Sequence, residues 1–294
     1  MSVLPRFAYH DAKTFEEAFE LRARYGDGAR YFSGGTALAL LMRAGFLSPK
    51  ALIGVRNIPG MQGIKKERGI FHIGAATPHV DVADHPEIRA SLPTLAKTFY
   101  HVATTRVRNV ATAGGNLAHA NPHQDPPVTF TALGATVVAR SSRGERRIPI
   151  DQFFVDYFQT SLTPDEILSA IEVPVDAEQG CGCAYIKYLP RSQDDYSVVN
   201  VTVRLRRAGG RIKEVMVAVG SMAPTVIRAT EAEQVLIGRE PDEARLREAS
   251  GAWIGRASPE LDSRGSPEYK MRVAPVIVRR AIESAWRSAV GGAA

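Results

Sequence analysis

Cysteine is scarce in this chain, which has only Cys181 and Cys183 among its 294 residues. Iron–sulfur and structural zinc sites usually need four ligands, commonly as paired C-x-x-C runs. Two cysteines separated by one glycine cannot supply that set, and a disulfide between them would be strained. His119 and His123 are four residues apart, but Pro122 argues against a helix that would place both on one face. We therefore expect free thiols and no metal site.

Long apolar runs are missing as well. No stretch approaches the roughly 20 residues needed to span a bilayer, and residues 1–9 lack the apolar centre of a signal peptide. These absences predict a cytoplasmic protein without a membrane span.

The common dinucleotide fingerprint G-x-G-x-x-G does not occur between a strand and a helix. The glycine-rich runs that begin at Gly26 and Gly180 continue as GDGARY and GCGCAY, before strand-like stretches. The sequence therefore argues against a Rossmann domain.

Positive charge is present but not concentrated. The net charge is +6 and the isoelectric point is near 9.4, yet lysine and arginine are scattered along the chain. A nucleic-acid surface would gather them with stacking aromatic side chains. We expect a moderately basic surface that suits an acidic partner subunit, and no nucleic-acid binding.

Two glycine pairs are the most informative features that the sequence does contain. Gly34-Gly35 and Gly114-Gly115 each follow an apolar stretch that reads as a strand, residues 29–32 and 107–113, and each precedes a small polar residue. Glycine permits positive φ, so consecutive N–H groups can line one concavity that suits a phosphate. A helix predicted after the first pair would add its positive end. Either loop alone is more simply a tight turn, but both together predict a dinucleotide site.

The order of the remaining patterns predicts an α+β chain. Two α/β lobes come first, and three strand patterns follow residues 175–182, which read as a linker. The turn at Gly209-Gly210 predicts a hairpin between the last two of these strands. Three helical patterns complete the chain.

At these residues the sequence resembles the FAD-binding medium subunit of molybdenum hydroxylases, the family of carbon monoxide dehydrogenase and xanthine dehydrogenase. The resemblance runs almost from end to end, in five blocks that occur in the family's order. They are SGGTALALLMRAGFLSPKALIGVRNIPGM, RNVATAGGNLAHANPHQDPP, EILSAIEVP, YIKYLPRSQDDYSVV and DSRGSPEYKMRVAPVIVRRA.

The resemblance implies a two-lobed α/β FAD-binding domain of the vanillyl-alcohol-oxidase-like (PCMH) type. A C-terminal domain with a three-stranded antiparallel sheet and helices would follow it. We place the FAD-binding domain at residues 1–176, with lobes at about 1–56 and 57–176, and the C-terminal domain at 177–290.

The resemblance also implies a set of cofactor-binding residues. The diphosphate would lie against Ser33, Gly34, Gly35, Thr36, Ala37, Leu38, Thr112, Ala113, Gly114, Gly115 and Asn116. The other positions that match the family's flavin pocket are Val102, Asp125, Leu168, Lys187 and Tyr196. Val102 and Leu168 could equally be core residues, and Asp125 could cap the helix predicted from Pro126.

By the same resemblance, non-covalent FAD in this chain would relay electrons. A large partner subunit would hold the molybdenum cofactor and a small one the 2Fe-2S clusters, in a heterotrimer that dimerises to a heterohexamer. Electrons would leave FAD for NAD⁺, a quinone, O₂ or another acceptor, and no catalytic acid or base is expected here. The alternatives are a free-standing flavin oxidase or reductase with its own substrate site, and an assembly subunit that binds flavin only structurally.

Overall fold

The structure is a computed structural model that describes residues 6–175, 180–192 and 194–291. The predicted domain boundary at residue 176 and part of the predicted linker lie outside the described residues, so the division remains a prediction.

The first lobe is a three-stranded parallel sheet with strand order β1-β3-β2. The helix α1 begins at the N-cap Thr14, whose side chain accepts a hydrogen bond from Glu17 N, and it ends at Gly26. The elements are β1 (Ala8–Asp11), α1 (Phe15–Tyr25), β2 (Ala29–Phe32), α2 (Thr36–Arg43) and β3 (Ala51–Gly54).

The second lobe has a five-stranded antiparallel sheet with strand order β4-β5-β10-β6-β7, and a small hairpin, β8-β9. Its strands are β4 (Ile64–Glu67), β5 (Ile70–Gly74), β6 (Thr136–Ser141), β7 (Gly144–Pro149), β8 (Phe154–Asp156), β9 (Gln159–Thr160) and β10 (Ile167–Pro174). Its helices are α3 (His79–Asp84), α4 (Pro86–Ser91), α5 (Pro93–Tyr100), α6 (Thr105–Arg108), α7 (Ala113–His119) and α8 (Pro126–Leu133).

The C-terminal part contains the antiparallel sheet β11-β12-β13-β14. Three long strands were expected, and the structure adds the two-residue strand β14. Gly209 and Gly210 both have positive φ, which confirms the predicted hairpin turn between β12 and β13. The elements are β11 (Cys181–Tyr188), β12 (Val199–Ala208), β13 (Arg211–Gly220), β14 (Ile227–Arg228), α9 (Thr230–Leu236), α10 (Glu243–Ala252) and α11 (Pro267–Ala289).

Two large cores hold these elements together. One joins both N-terminal lobes, and the other packs α9, α10 and α11 on the C-terminal sheet around the fully buried Trp253. Helix α8 bridges them, because Val128 and Ala132 contact Ala218 of β13. The start of α8 therefore meets the C-terminal sheet.

The strand expected over residues 107–113 is not formed. Thr104 accepts a hydrogen bond from Val107 N and Thr112 accepts one from Gly115 N, so two capping threonines start the helices α6 and α7 in this segment. The alternation of apolar residues in 107–113 led to the strand prediction, because the two threonine caps were not taken into account. The second glycine pair thus lies inside the first turn of α7.

Candidate functional site

The first glycine loop joins β2 to α2 and leaves the helix N-terminus open. Gly35, with φ of 70°, is the N-cap, and no side chain caps the helix. The first hydrogen bond of the helix ladder runs from Ala39 N to Gly35 O, at 2.9 Å. The N–H groups of residues 36–38 therefore have no partner within the helix. With no acidic residue in the first turn, this end can receive a phosphate.

The two glycine loops lie against each other. A Cβ placed on Gly34 would stand 2.2 Å from the carbonyl oxygen of Val110 and 2.9 Å from Cα of Ala111. Only glycine allows this approach, because real Cβ atoms do not come so close to backbone. The residues that lead into the second loop are thus packed on the first.

The second glycine pair serves packing rather than a concavity of N–H groups. Gly114 and Gly115 have no positive φ. Gly114 N donates to Ala75 O at 2.8 Å, and a Cβ on Gly114 would stand 2.4 Å from Cβ of Ala75. The Gly114 N–H already docks the loop and does not contribute to a concavity of free N–H groups. Contact of Gly114 and Gly115 with the cofactor stays a prediction.

Two buried polar atoms beside the loops have no hydrogen-bond partner among the described residues. They are Oγ of Ser33, just before the first glycine pair, and Oδ1 of Asn116, just after the second. Buried polar atoms are nearly always paired, so unpaired ones need an explanation. A ligand that carries hydroxyl or amide hydrogens as well as phosphate would satisfy both.

Asp125 and Lys187 form a buried ion pair, with 3.0 Å between Lys187 Nζ and Asp125 Oδ2 and 4% of each side chain exposed. Asp125 also accepts hydrogen bonds from Tyr185 Oη at 2.5 Å and Asn200 Nδ2 at 3.4 Å. Burial raises the pKa of Asp125, while Lys187 and these donors oppose that rise. Asp125 stands at the N-cap position of α8 but does not cap the helix. The pair instead joins α8 to β11.

Lys187 connects this pair to a constrained loop. Its Nζ also donates to the carbonyl oxygen of His101 at 3.0 Å. The next residues are the buried Val102 and then Ala103, whose φ of 42° is unusual for a residue other than glycine. Arg108 donates to the carbonyl oxygens of both Val102 and Ala103, at 3.0 and 2.7 Å. The loop is therefore held from two sides.

A surface cavity of about 600 Å³ opens beside this loop. None of the sixteen predicted residues lines it, although Val102 lies between two that do. The lining residues are Tyr100, His101, Ala103, Thr104, Thr105, Arg106, Arg108 and Asp194. The cavity thus adjoins the predicted pocket without coinciding with it.

The remaining two predicted residues lie in different surroundings. Leu168 is buried in the N-terminal core, next to a register shift in β10. Tyr196 is 45% exposed, and its ring lies 5.9 Å from the guanidinium of Arg264 and 6.4 Å from the ring of His123. The predicted roles of Leu168 and Tyr196 in the flavin pocket stay predictions.

Sequence reasoning missed several residues that shape the site. The alternation of Tyr185 with Lys187 in β11 was a usable signal, since residues two apart share one face of a strand. Asn200 of β12 is paired directly opposite Lys187. Arg108 and His79 offered no comparable signal. Both side chains donate to backbone carbonyl oxygens of loops, and no strand or helix period in the sequence indicates such contacts.

Acid should destabilise the fold through two histidines, the buried His79 and the partly buried His123. Burial lowers the pKa of His79 and of His123 to about 4, below the ordinary value of 6.5. Between these values the unfolded chain binds more protons, so stability present above pH 6.5 is lost as the pH falls toward 4. Each histidine contributes at most about 3 kcal/mol.

Urea unfolding at pH 7.5, 5.5 and 4.5 measures this loss of stability. His79→Gln and His123→Gln should each make the free energy of unfolding less dependent on pH. Equal pH slopes in wild type and both variants would contradict the assignment.

Two family profiles match this chain. Residues 5–176 match the FAD binding domain in molybdopterin dehydrogenase, and residues 184–285 match the CO dehydrogenase flavoprotein C-terminal domain. The chain belongs to this family. The resemblance seen in the sequence is therefore confirmed, as are the fold class and the assignment of FAD as cofactor.

Individual relatives of this flavoprotein family agree over nearly the whole length. The medium chain of carbon monoxide dehydrogenase from Hydrogenophaga pseudoflava is 34% identical over 282 residues, 96% of this chain and 98% of that one. The medium subunit of nicotine 6-hydroxylase from Paenarthrobacter nicotinovorans is 32% identical over 96% of this chain and 98% of the relative. A solved structure of carbon monoxide dehydrogenase from H. pseudoflava superposes with a TM-score of 0.95 at 35% identity, covering 98% of this chain and 99% of the other.

The described part of this flavoprotein contains no candidate metal site. No group of three or more histidine, cysteine, aspartate or glutamate side chains among residues 6–175, 180–192 and 194–291 is arranged to hold a metal ion. Within the same ranges, none of the helices combines the length and apolar character needed to cross a membrane.

Proposed function

We propose that this chain is the electron-transfer flavoprotein subunit of a molybdenum hydroxylase. The observation that carries the proposal is the contact between the glycine loops, where an open helix N-terminus stands near two unpartnered polar atoms. This donor set fits FAD, whose diphosphate needs N–H groups and whose other parts carry hydroxyl and amide hydrogens. The family membership supports the same cofactor.

The residues of this chain bind and orient the cofactor rather than react. The N–H groups of residues 36–38 would hold the diphosphate, Ser33 Oγ would exchange a hydrogen bond with the ligand, and Asn116 Oδ1 would accept one. FAD, when bound, supplies the ability to accept electrons one at a time and to release them singly or in pairs. No acid or base of this chain is required for such a relay, so no catalytic residue is proposed.

Partner subunits would complete the reaction. We propose a large subunit with the molybdenum cofactor and a small subunit with 2Fe-2S clusters, in a dimerised heterotrimer. The medium-chain designation of the relatives supports an assembly of several chains. Large apolar side chains are also exposed close to the loops, at Leu40 (66%) and Phe46 (82%) on and after α2 and at Val110 (42%). Exposed apolar side chains of this kind suit a protein interface. A cytoplasmic location remains part of the proposal.

Purification of the native complex tests this function. Two further chains, iron and molybdenum should accompany the protein, and FAD should be released by acid precipitation because it is not covalently bound. Anaerobic addition of the complex's substrate should bleach the flavin absorbance, while the isolated chain should leave the same substrate unchanged. Turnover of an organic substrate by the isolated chain with FAD alone would favour the free-standing oxidase. Flavin that stays oxidised in an active complex would favour the assembly subunit.

A further inference from the structure

The second glycine loop is held by a short template segment, residues 75–79. Ala113 N donates to Thr77 O at 2.9 Å, and Gly114 N donates to Ala75 O at 2.8 Å. In the opposite direction, His79 N donates to the carbonyl oxygen of Ala111 at 2.9 Å. Backbone bonds thus fix the loop on both sides of Thr112.

The side chain of His79 adds a contact to the loop that depends on residue type. It is 1% exposed, and its Nε2 lies 3.1 Å from the carbonyl oxygen of Thr112. Its ring packs edge-on against Phe99, with 5.1 Å between centroids and 80° between planes. Because a carbonyl oxygen only accepts, Nε2 must carry the hydrogen. The pKa near 4 leaves the imidazole neutral.

This arrangement is costly for a purely structural residue. With the hydrogen on Nε2, Nδ1 carries a lone pair, and this atom is buried without a partner among the described residues. An unpaired buried acceptor destabilises the folded state, and an apolar side chain at this position would avoid that penalty. The bond from Nε2 to the Thr112 carbonyl is the contact that an apolar side chain could not make.

Thr112 holds the end of the loop in position through its own oxygen atoms. Its carbonyl oxygen also accepts from Asn116 N at 2.9 Å, and its Oγ1 accepts from Gly115 N at 3.3 Å. A carbonyl oxygen has two lone pairs, so His79 and Asn116 together fill them. Any rotation of this peptide unit would move Asn116, whose Oδ1 is unpartnered.

We propose that His79 is a positioning residue for the cofactor, which holds the Thr112 carbonyl so that the Asn116 side chain meets the ligand. The proposal rests on the proposed function, since the ligand is taken to be FAD. His79 does not touch the ligand itself and acts only through Thr112.

Variants of His79 in the complete complex separate positioning from simple stability. His79→Leu removes the donor at similar volume and should weaken FAD binding about tenfold, the equivalent of one hydrogen bond. His79→Gln places an amide donor the same number of bonds from Cα and should restore affinity to within about threefold of wild type. FAD affinity is measured by removing flavin from the purified complex and titrating it back by fluorescence, with the midpoint of thermal unfolding recorded for each variant.

Ile88→Val is the matched control, because Ile88 is fully buried in the same lobe on α4. It should lower the unfolding midpoint without changing FAD affinity. The proposal is overturned when His79→Leu binds FAD as tightly as wild type, or when Ile88→Val weakens FAD binding as much as His79→Leu does.

Nitrogen NMR of labelled histidine, recorded between pH 6 and 8, should show the hydrogen of His79 on Nε2. A hydrogen on Nδ1 would overturn the proposal as well. Failure of the proposed function is distinct, since the bound flavin of wild type would then stay oxidised when the complex turns over its substrate, whatever the FAD affinity of the His79 variants.

Discussion

Gly34→Ala should lower FAD affinity by at least about a hundredfold, or about 2.7 kcal/mol. The added Cβ would stand 2.2 Å from the carbonyl oxygen of Val110, so one of the two glycine loops must move. Backbone cannot yield as the end of a flexible side chain can, and separation of the loops would displace Ser33 and Asn116 from each other. The effect is measured by flavin content of the purified protein and by FAD titration.

Gly251→Ala is the control for this variant. Gly251 lies in α10, has no positive φ, and would meet nothing within 4 Å after gaining a Cβ. Alanine is the better helix former, so stability should hold or rise by up to about 1 kcal/mol, with FAD affinity unchanged. FAD affinity of Gly34→Ala equal to that of Gly251→Ala would show that contact between the loops is not needed for binding.

Short sequence patterns predicted those helices whose limits depend on residues close by in the chain. The bounds of α2 at Thr36–Arg43 and of α8 at Pro126–Leu133 agree with the sequence patterns, because a glycine or proline marks each start. The second glycine loop was predicted less well. Its helix α7 depends on the cap at Thr112, and that residue is fixed by a template more than 30 positions earlier in the chain.

The interior of the candidate site could not be predicted from local pattern for the same reason. Asp125 meets Tyr185 and Asn200 across separations of 60 and 75 residues, through the register of β11 and β12. A sequence shows that Lys187 is a charge within an apolar strand, but not that a carboxylate faces it. The family resemblance supplied the positions of the cofactor residues, and which of them touch FAD remains a prediction.

The ion pair with Asp125 determines the expected effect of a substitution at Lys187. A lone ammonium beside the flavin would act mainly through its charge, whereas this one is 3.0 Å from a carboxylate and also holds the loop at His101. Removal of one partner leaves the other buried without a counter-charge, which typically costs 3–5 kcal/mol. Removal of both avoids that penalty.

A double-mutant cycle on Asp125→Asn and Lys187→Met should therefore be strongly non-additive. Asp125→Asn should lower the free energy of unfolding by about 3–5 kcal/mol, because the Lys187 ammonium stays buried. Lys187→Met should cost less, since the pKa of Asp125 is raised by burial and the unpaired carboxyl can take up a proton. The double variant should be more stable than the sum of the single losses implies, with a coupling of at least about 2 kcal/mol by urea unfolding. Single losses that add to within about 0.5 kcal/mol would mean that the two charges act independently. The ion pair would then not stabilise the contact between α8 and the C-terminal sheet.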